Sequence, residues 1–246
     1  MDSMRILKLL VFFFGLGAVA AGEVWFHFHD TRPPGWSNPD IHDDRVGSLA
    51  IPNPKQTMKI TGVGASNTAP NSYFEYALPS LQPGVQWSNI AISGQTFAFF
   101  DVNFATLVQP QFDPSYTANI LVLQCTNDMD INDTTGAVAA ASAASIANKW
   151  KALGPNNKVI IFAAWNFGGN ATFIHTHIDF NNAVQAMLNG KPFDYYVDVF
   201  NIPGLNTGTT APATDLSPDN NHLTRLALTT LVVPPYVAGV NALWKR

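Results

Sequence analysis

Five residues have side chains or backbone groups suited to acyl transfer by a serine nucleophile: Ser66, Gly94, Asn127, Asp219 and His222. Serine alone is a weak nucleophile near neutral pH. It needs a base within hydrogen-bond reach, and that base needs an orienting partner. The turn Asp219-Asn-Asn-His222 offers both: the carboxylate can accept the imidazole Nδ1–H, which leaves Nε2 free to face Ser66. A tetrahedral intermediate also needs donors aimed at its oxyanion. The backbone N–H groups of Ser66 and Gly94 and the side-chain amide of Asn127 are the candidates, and glycine at 94 lets a ligand approach the backbone closely. Each feature taken singly has a plain structural reading. Gly94 could be a turn residue, Asn127-Asp128 a turn or a helix cap, and Asp219 to His222 a capped helix start. Their joint order along the chain is what points to chemistry.

The elements that must position these residues alternate. Met58 onward reads as a strand ending in the glycine-bearing turn that carries Ser66. Residues 71–81 read as a short helix stopped by Pro83-Gly84, and 85–92 as a second strand ending at Ser93-Gly94. Residues 95–116 are ambiguous, with a Phe-rich part that suits a buried helix. The apolar run 119–124 suits a parallel strand buried on both faces, and it ends at Cys125-Thr126-Asn127-Asp128. An alanine-rich helix over 134–153, a strand over 158–164, a helix over 179–188 and a strand over 194–200 follow. A loop then runs to about His222. Residues 223–231 look helical, Pro234-Pro235 interrupts them, and a last helix reaches Trp244. Strands alternating with helices predict an α/β domain: a three-layer α/β/α sandwich on a mostly parallel sheet of about five strands. Right-handed crossovers then bring the ends of the first three strands to one rim.

The chain has 246 residues, 47% of them hydrophobic and 12% charged, with a net charge of -4. That is enough for one domain with a sizeable core. No Lys/Arg cluster is present, so no nucleic-acid partner is expected. The single cysteine, Cys125, excludes an intrachain disulfide. Arg5 and Lys8 precede the apolar run 9–20, which closes on Ala18-Val19-Ala20. This pattern predicts a signal peptide over 1–20, a lead-in over 21–57 without much regular structure, and the catalytic-type domain over 58–246. The apolar run is short for a membrane span, so a secreted, extracellular protein without stable membrane association after cleavage is expected. An uncleaved anchor is the other reading. Asn132-Asp-Thr134 and Asn170-Ala-Thr172 are sequons that a eukaryotic secretory route would make available for glycosylation.

The blocks Gly64-Ala65-Ser66-Asn67-Thr68, Ile92-Ser93-Gly94, Cys125-Thr126-Asn127-Asp128 and Asp219-Asn-Asn-His222-Leu-Thr resemble, in order, the four blocks of the SGNH (GDSL-type) hydrolases. The resemblance spans about 58–244. It implies a flavodoxin-like fold and serine-dependent hydrolysis of carboxylic esters such as acetylated sugars, lipids or small esters, with no cofactor and no metal. It implies Ser66 as nucleophile, His222 as base, Asp219 as its orienter, and Ser66, Gly94 and Asn127 as the oxyanion hole. Two positions depart from the family pattern: Ala65 stands where Asp is usual, and Cys125 where Gly is usual. Other nucleophile motifs fit less well. The Gly-x-Ser-x-Gly elbow is absent, and Gly62-Val-Gly64 lacks the third glycine of a dinucleotide loop.

Two further readings stay open. A catalytically weak relative could bind glycans at the same rim, using Trp25, Trp36, Trp87 and Trp165 as stacking faces, although tryptophans more often sit in cores. A metal site could draw on His27, His29, His175 or His177, although the tight ligand spacing of a zinc site is missing.

Overall fold

The computed structural model describes residues 46–48, 57–130, 132–165, 171–205, 216–217 and 222–244. All of them lie in a unit running from Gly35 to Arg246. The signal peptide and most of the lead-in fall outside the described residues, as do His27, His29, Trp25 and Trp36.

Six strands form one sheet: β1 (Val46–Ser48), β2 (Met58–Gly64), β3 (Val85–Asn89), β4 (Ala118–Gln124), β5 (Asn157–Phe162) and β6 (Tyr195–Val197), in the order β1-β3-β2-β4-β5-β6. The five from β2 to β6 are parallel to one another, and β1 joins the edge antiparallel to β3. Taken alone, the parallel strands run 2-1-3-4-5 in chain order, the flavodoxin-like arrangement. The edge strand β1 differs from the expectation of an irregular lead-in. Its three residues carry no alternating apolar signal that would separate them from a loop.

The helices are α1 (Tyr73–Tyr76), α2 (Phe97–Val102), α3 (Asn127–Asp130), α4 (Gly136–Ala152), α5 (Ala171–Leu188) and α6 (Arg225–Trp244). Successive residues of β4 alternate between two cores. Ile120 and Val122 join Tyr73, Phe74 and Tyr236 on one face, whereas Leu121 and Leu123 join Phe100, Ala143, Trp150 and Phe180 on the other. Burial on both faces is why β4 reads as a continuous apolar run.

Several boundaries depart from the sequence expectation: the helix expected over 71–81 is only Tyr73–Tyr76 followed by a 3-10 turn at Leu78–Ser80, the strand expected over 85–92 ends at Asn89, and three others have a visible cause. The last strand is only Tyr195–Val197, because the Asp194 carboxylate accepts from the Val159 backbone N–H at 2.8 Å and the chain turns back where Val199 N donates to Val197 O. Helix α5 starts at Ala171, earlier than 179. Its opening is rich in His, Thr, Phe and Ile, which carry weak helix propensity, and burial of His177 and Phe180 supplies what propensity lacks. Pro234 and Pro235 do not break α6. They sit in the first turn of the segment Val233–Trp244, just after a π-helical turn at Leu228–Val232. A π turn is where a continuous helix absorbs such a discontinuity. Length and apolarity would let α6 cross a bilayer, but Val232, Tyr236, Val240 and Leu243 are buried in the core.

Helices α4 and α5 meet at Gly136. A Cβ there would lie 2.2 Å from the Phe180 backbone N and 2.3 Å from the Thr176 carbonyl oxygen. Both neighbours are backbone and cannot rotate away. Gly136→Ala is therefore expected to cost about 3 kcal/mol or more through overpacking, a fall in Tm on the order of 10 °C by calorimetry. An unchanged Tm would mean that the two helices separate freely.

Candidate functional site

Ser66 follows β2 after a single intervening residue, in a turn closed by Thr68 N and Ala69 N donating to the Ala65 carbonyl at 3.0 and 2.9 Å. Gly64 is required where the strand ends, since a Cβ would lie 2.0 Å from the Gln124 carbonyl oxygen and 2.6 Å from Thr68 Oγ1. The buried Thr68 hydroxyl donates to Gln124 Oε1 at 2.7 Å, which ties the turn to the end of β4. Ala65 is buried against Val63, Ile90 and Phe97. An apolar residue at this position therefore packs into the core beneath the turn.

The histidine comes from the other end of the chain. Its Nε2 lies 2.9 Å from Ser66 Oγ, and the serine hydroxyl donates when Nε2 carries no proton. The His222 carbonyl accepts from the fully buried Ser217 hydroxyl at 3.0 Å, and Thr224 N donates to the Leu216 carbonyl at 2.8 Å. Leu223 is buried, and Thr224 caps the start of α6 through its hydroxyl. These anchors on both sides hold an exposed imidazole over the serine. Asp219 lies outside the described residues.

Gly94 and Asn127 reach the same rim from the strands flanking β2. Gly64 pairs in register with Gln124, and Ile92 N donates to the Gly64 carbonyl at 3.0 Å. Ser66, Gly94 and Asn127 thus all lie just beyond one transverse row at the carboxyl edge, where open α/β sheets take ligands. Gly94 adopts φ +80°, exposed, with nothing within 4 Å of where a Cβ would be. The left-handed backbone favours glycine there, and the space beside it is open. Asn127 is half-buried and opens α3.

Two contacts not foreseen from sequence join these loops. The buried Asp128 carboxylate accepts from Phe97 N at 2.7 Å and Ala98 N at 3.1 Å, capping α2 from the neighbouring loop. Cys125 Sγ donates to the Gln95 carbonyl at 3.2 Å. Burial, with the nearby Asp128 charge, pushes the Cys125 thiol well above its usual range. It is then a poor source of thiolate. Desolvation also raises the Asp128 carboxyl, against the backbone hydrogen bonds that lower it.

Next to the Ser66 turn, Ser72 and Glu75 form a capping box at the start of α1. The spacing Ser-x-x-Glu is the signal that could have revealed it. Burial raises the Glu75 carboxyl above its ordinary value despite hydrogen bonds from Asn89 and Ser72. A carboxyl raised on folding stabilises the folded state fully below its unfolded value near ~4.3, and that contribution is lost as pH rises through the folded value. Thermal melts should therefore show the stability difference between Glu75→Gln and wild type moving toward the variant as pH rises from about 4 to 7. A difference constant across that range would mean that Glu75 titrates alike in the folded and unfolded chain.

The remaining candidates do not converge. His175 is exposed, whereas His177 is buried with Nε2 2.8 Å from Asp130 Oδ1. Among the described residues no group of three or more His, Cys, Asp or Glu is arranged to hold a metal ion. Trp87 and Trp165 are core residues, 7% and 0% exposed, and offer no stacking face to a glycan.

No protein-family model matches the sequence, and no curated protein matches it. Solved structures do. A protein described as a GDSL-like lipase from Parabacteroides merdae superposes with a TM-score of 0.61 at 14% identity, over 79% of this chain and 99% of that one. An acetylxylan esterase from Geobacillus stearothermophilus gives 0.59 at 18% identity, over 81% and 99%. A family 3 carbohydrate esterase from Clostridium thermocellum gives 0.60 at 15% identity, over 77% and 98%. The chain has the three-layer fold of these proteins, and it resembles the SGNH (GDSL-type) hydrolases in architecture as well as in the order of its motifs.

Proposed function

We propose that the protein is a secreted serine esterase hydrolysing carboxylic esters, an acetylated carbohydrate or a small or lipid ester. The observation that carries this reading is the 2.9 Å approach of His222 Nε2 to Ser66 Oγ, between residues 156 positions apart on one sheet rim. His222 takes the serine proton as Oγ attacks the ester carbonyl, then returns it to the leaving alcohol, and water repeats the sequence on the acyl-enzyme. Asp219 orients the imidazole and stabilises its charged form. The N–H groups of Ser66 and Gly94 and the Asn127 amide receive the oxyanion. Of the acetylxylan esterase, serine-to-alanine and histidine-to-alanine forms are described as catalytic mutants, in keeping with a serine and a histidine serving catalysis here.

Secretion rests on the basic, apolar and small-residue pattern of the first twenty residues, and N-terminal sequencing of exported protein should begin near Ala21. Purified protein is expected to cleave a chromogenic short-chain ester, and dialysis against a chelator should leave that rate unchanged, because nucleophile, base and donors are all protein groups. Activity lost to the chelator and restored by zinc or manganese would favour the metal reading. Absence of turnover with retained glycan affinity would favour the binding-protein reading.

A further inference from the structure

Among the described residues, a buried polar side chain with no part in the chemistry above ties the Ser66 turn to the stretch that leads toward Gly94. Asn89 closes β3 and is 1% exposed. Its Nδ2 donates twice, to the Thr68 carbonyl at 2.6 Å and to Glu75 Oε1 at 2.7 Å, while Oδ1 accepts from Ala91 N at 3.0 Å. Both N–H groups and the carbonyl are thereby used. Thr68 belongs to the turn of Ser66, and Ala91 begins the stretch that leads to Gly94. Glu75 is itself held by Ser72 N, which donates to its carboxylate at 3.2 Å. The Thr68 carbonyl takes a second donor, Ser72 Oγ, at 3.1 Å.

From this geometry we propose that Asn89 is a positioning residue, whose one amide, braced by Glu75, sets the nucleophile turn and the Gly94 loop in mutual register. The proposal rests on the esterase reading for its catalytic consequence. The physical reason is that nucleophile and oxyanion donors act together only when their spacing is right, and a displacement of about 1 Å can cost about 10² in rate. The N–H groups of Ser66 and Gly94 are both backbone, so only the placement of their loops sets that spacing. A buried amide with all its hydrogen bonds made resists displacement, since releasing any partner strands a desolvated group.

The test compares wild type, Asn89→Ala, the isosteric Asn89→Asp and Thr61→Val. Thr61 Oγ1 meets Ser88 Oγ at 3.1 Å on the same two strands without touching either loop. Thr61→Val therefore supplies a buried polar loss of similar kind, with kcat expected to stay at the wild-type value. Asn89→Ala should lower kcat about 10²-fold with KM within about threefold. Backbone hydrogen exchange should accelerate together in residues 66–69 and 91–95 for Asn89→Ala and in neither segment for Thr61→Val. If the alanine form does not fold, Asn89→Asp decides by the same readouts. It keeps the side-chain shape and the acceptor for Ala91 N but turns oxygen toward Thr68 O and Glu75. Wild-type kcat in a folded Asn89 variant, or faster exchange in only one segment, overturns the proposal. A wild-type protein without ester turnover overturns the esterase reading instead, and the exchange pattern then decides the coupling alone.

Discussion

Ser66→Ala and His222→Ala should each lower ester turnover by about 10⁴-fold or more, and the double variant should be little worse than either. The reason lies in the single hydrogen bond between Nε2 and Oγ at 2.9 Å. Without the hydroxyl the imidazole has no proton to take, and without the imidazole the hydroxyl stays protonated through the attack. Either loss disables the same step, so removing both removes little more. Steady-state kinetics on freshly purified single and double variants would show it, and multiplicative losses would mean that the two residues act separately. The binding-protein alternative predicts a different pattern: negligible wild-type turnover and glycan affinity that survives Ser66→Ala.

Much of this site could be read from the chain because its parts sit at strand ends. A strand such as β4, with an unbroken apolar run over 120–123, announces itself, and whatever follows it must lie at the rim. The placement of Ser66, Gly94 and Asn127 at one rim was legible for that reason, and the four-block order pointed to His222, whose ring meets Ser66. What stayed hidden was what holds them. Asn89 is one of three polar residues in the five-residue strand β3, and nothing local says that its amide reaches both Thr68 and Glu75. Asp128 looked like part of a turn or a cap for the helix after it, yet it caps α2, thirty residues earlier in the chain. Cys125 stood out only as a departure from the usual glycine, yet its thiol donates across to Gln95. Such contacts depend on which loops the sheet order makes neighbours, and that order is a property of the whole fold. The three-residue strands β1 and β6 were blurred for a similar reason. So short a strand forms because its neighbour offers a ladder, not because its own sequence demands one.

Asn127→Ala should behave differently from loss of the nucleophile. On the proposed function it removes one oxyanion donor and leaves Ser66, His222 and the two backbone N–H groups in place, so kcat should fall by about 10²–10³ with KM little changed. The loss should be confined to chemistry, because the ground-state ester carbonyl holds less charge than the tetrahedral oxyanion and gains less from the amide. The loop itself has independent support. Asp128 holds it to the start of α2 and Cys125 holds it to Gln95, so truncating the Asn127 side chain should not release it. Asn127→Asp separates donor from shape. The carboxylate fills the same space but offers no N–H and adds negative charge beside the developing oxyanion, so its kcat should be at or below that of Asn127→Ala. An Asn127→Asp enzyme as fast as wild type would show that no side-chain donor is used at this position, and that the backbone N–H groups of Ser66 and Gly94 hold the oxyanion unaided.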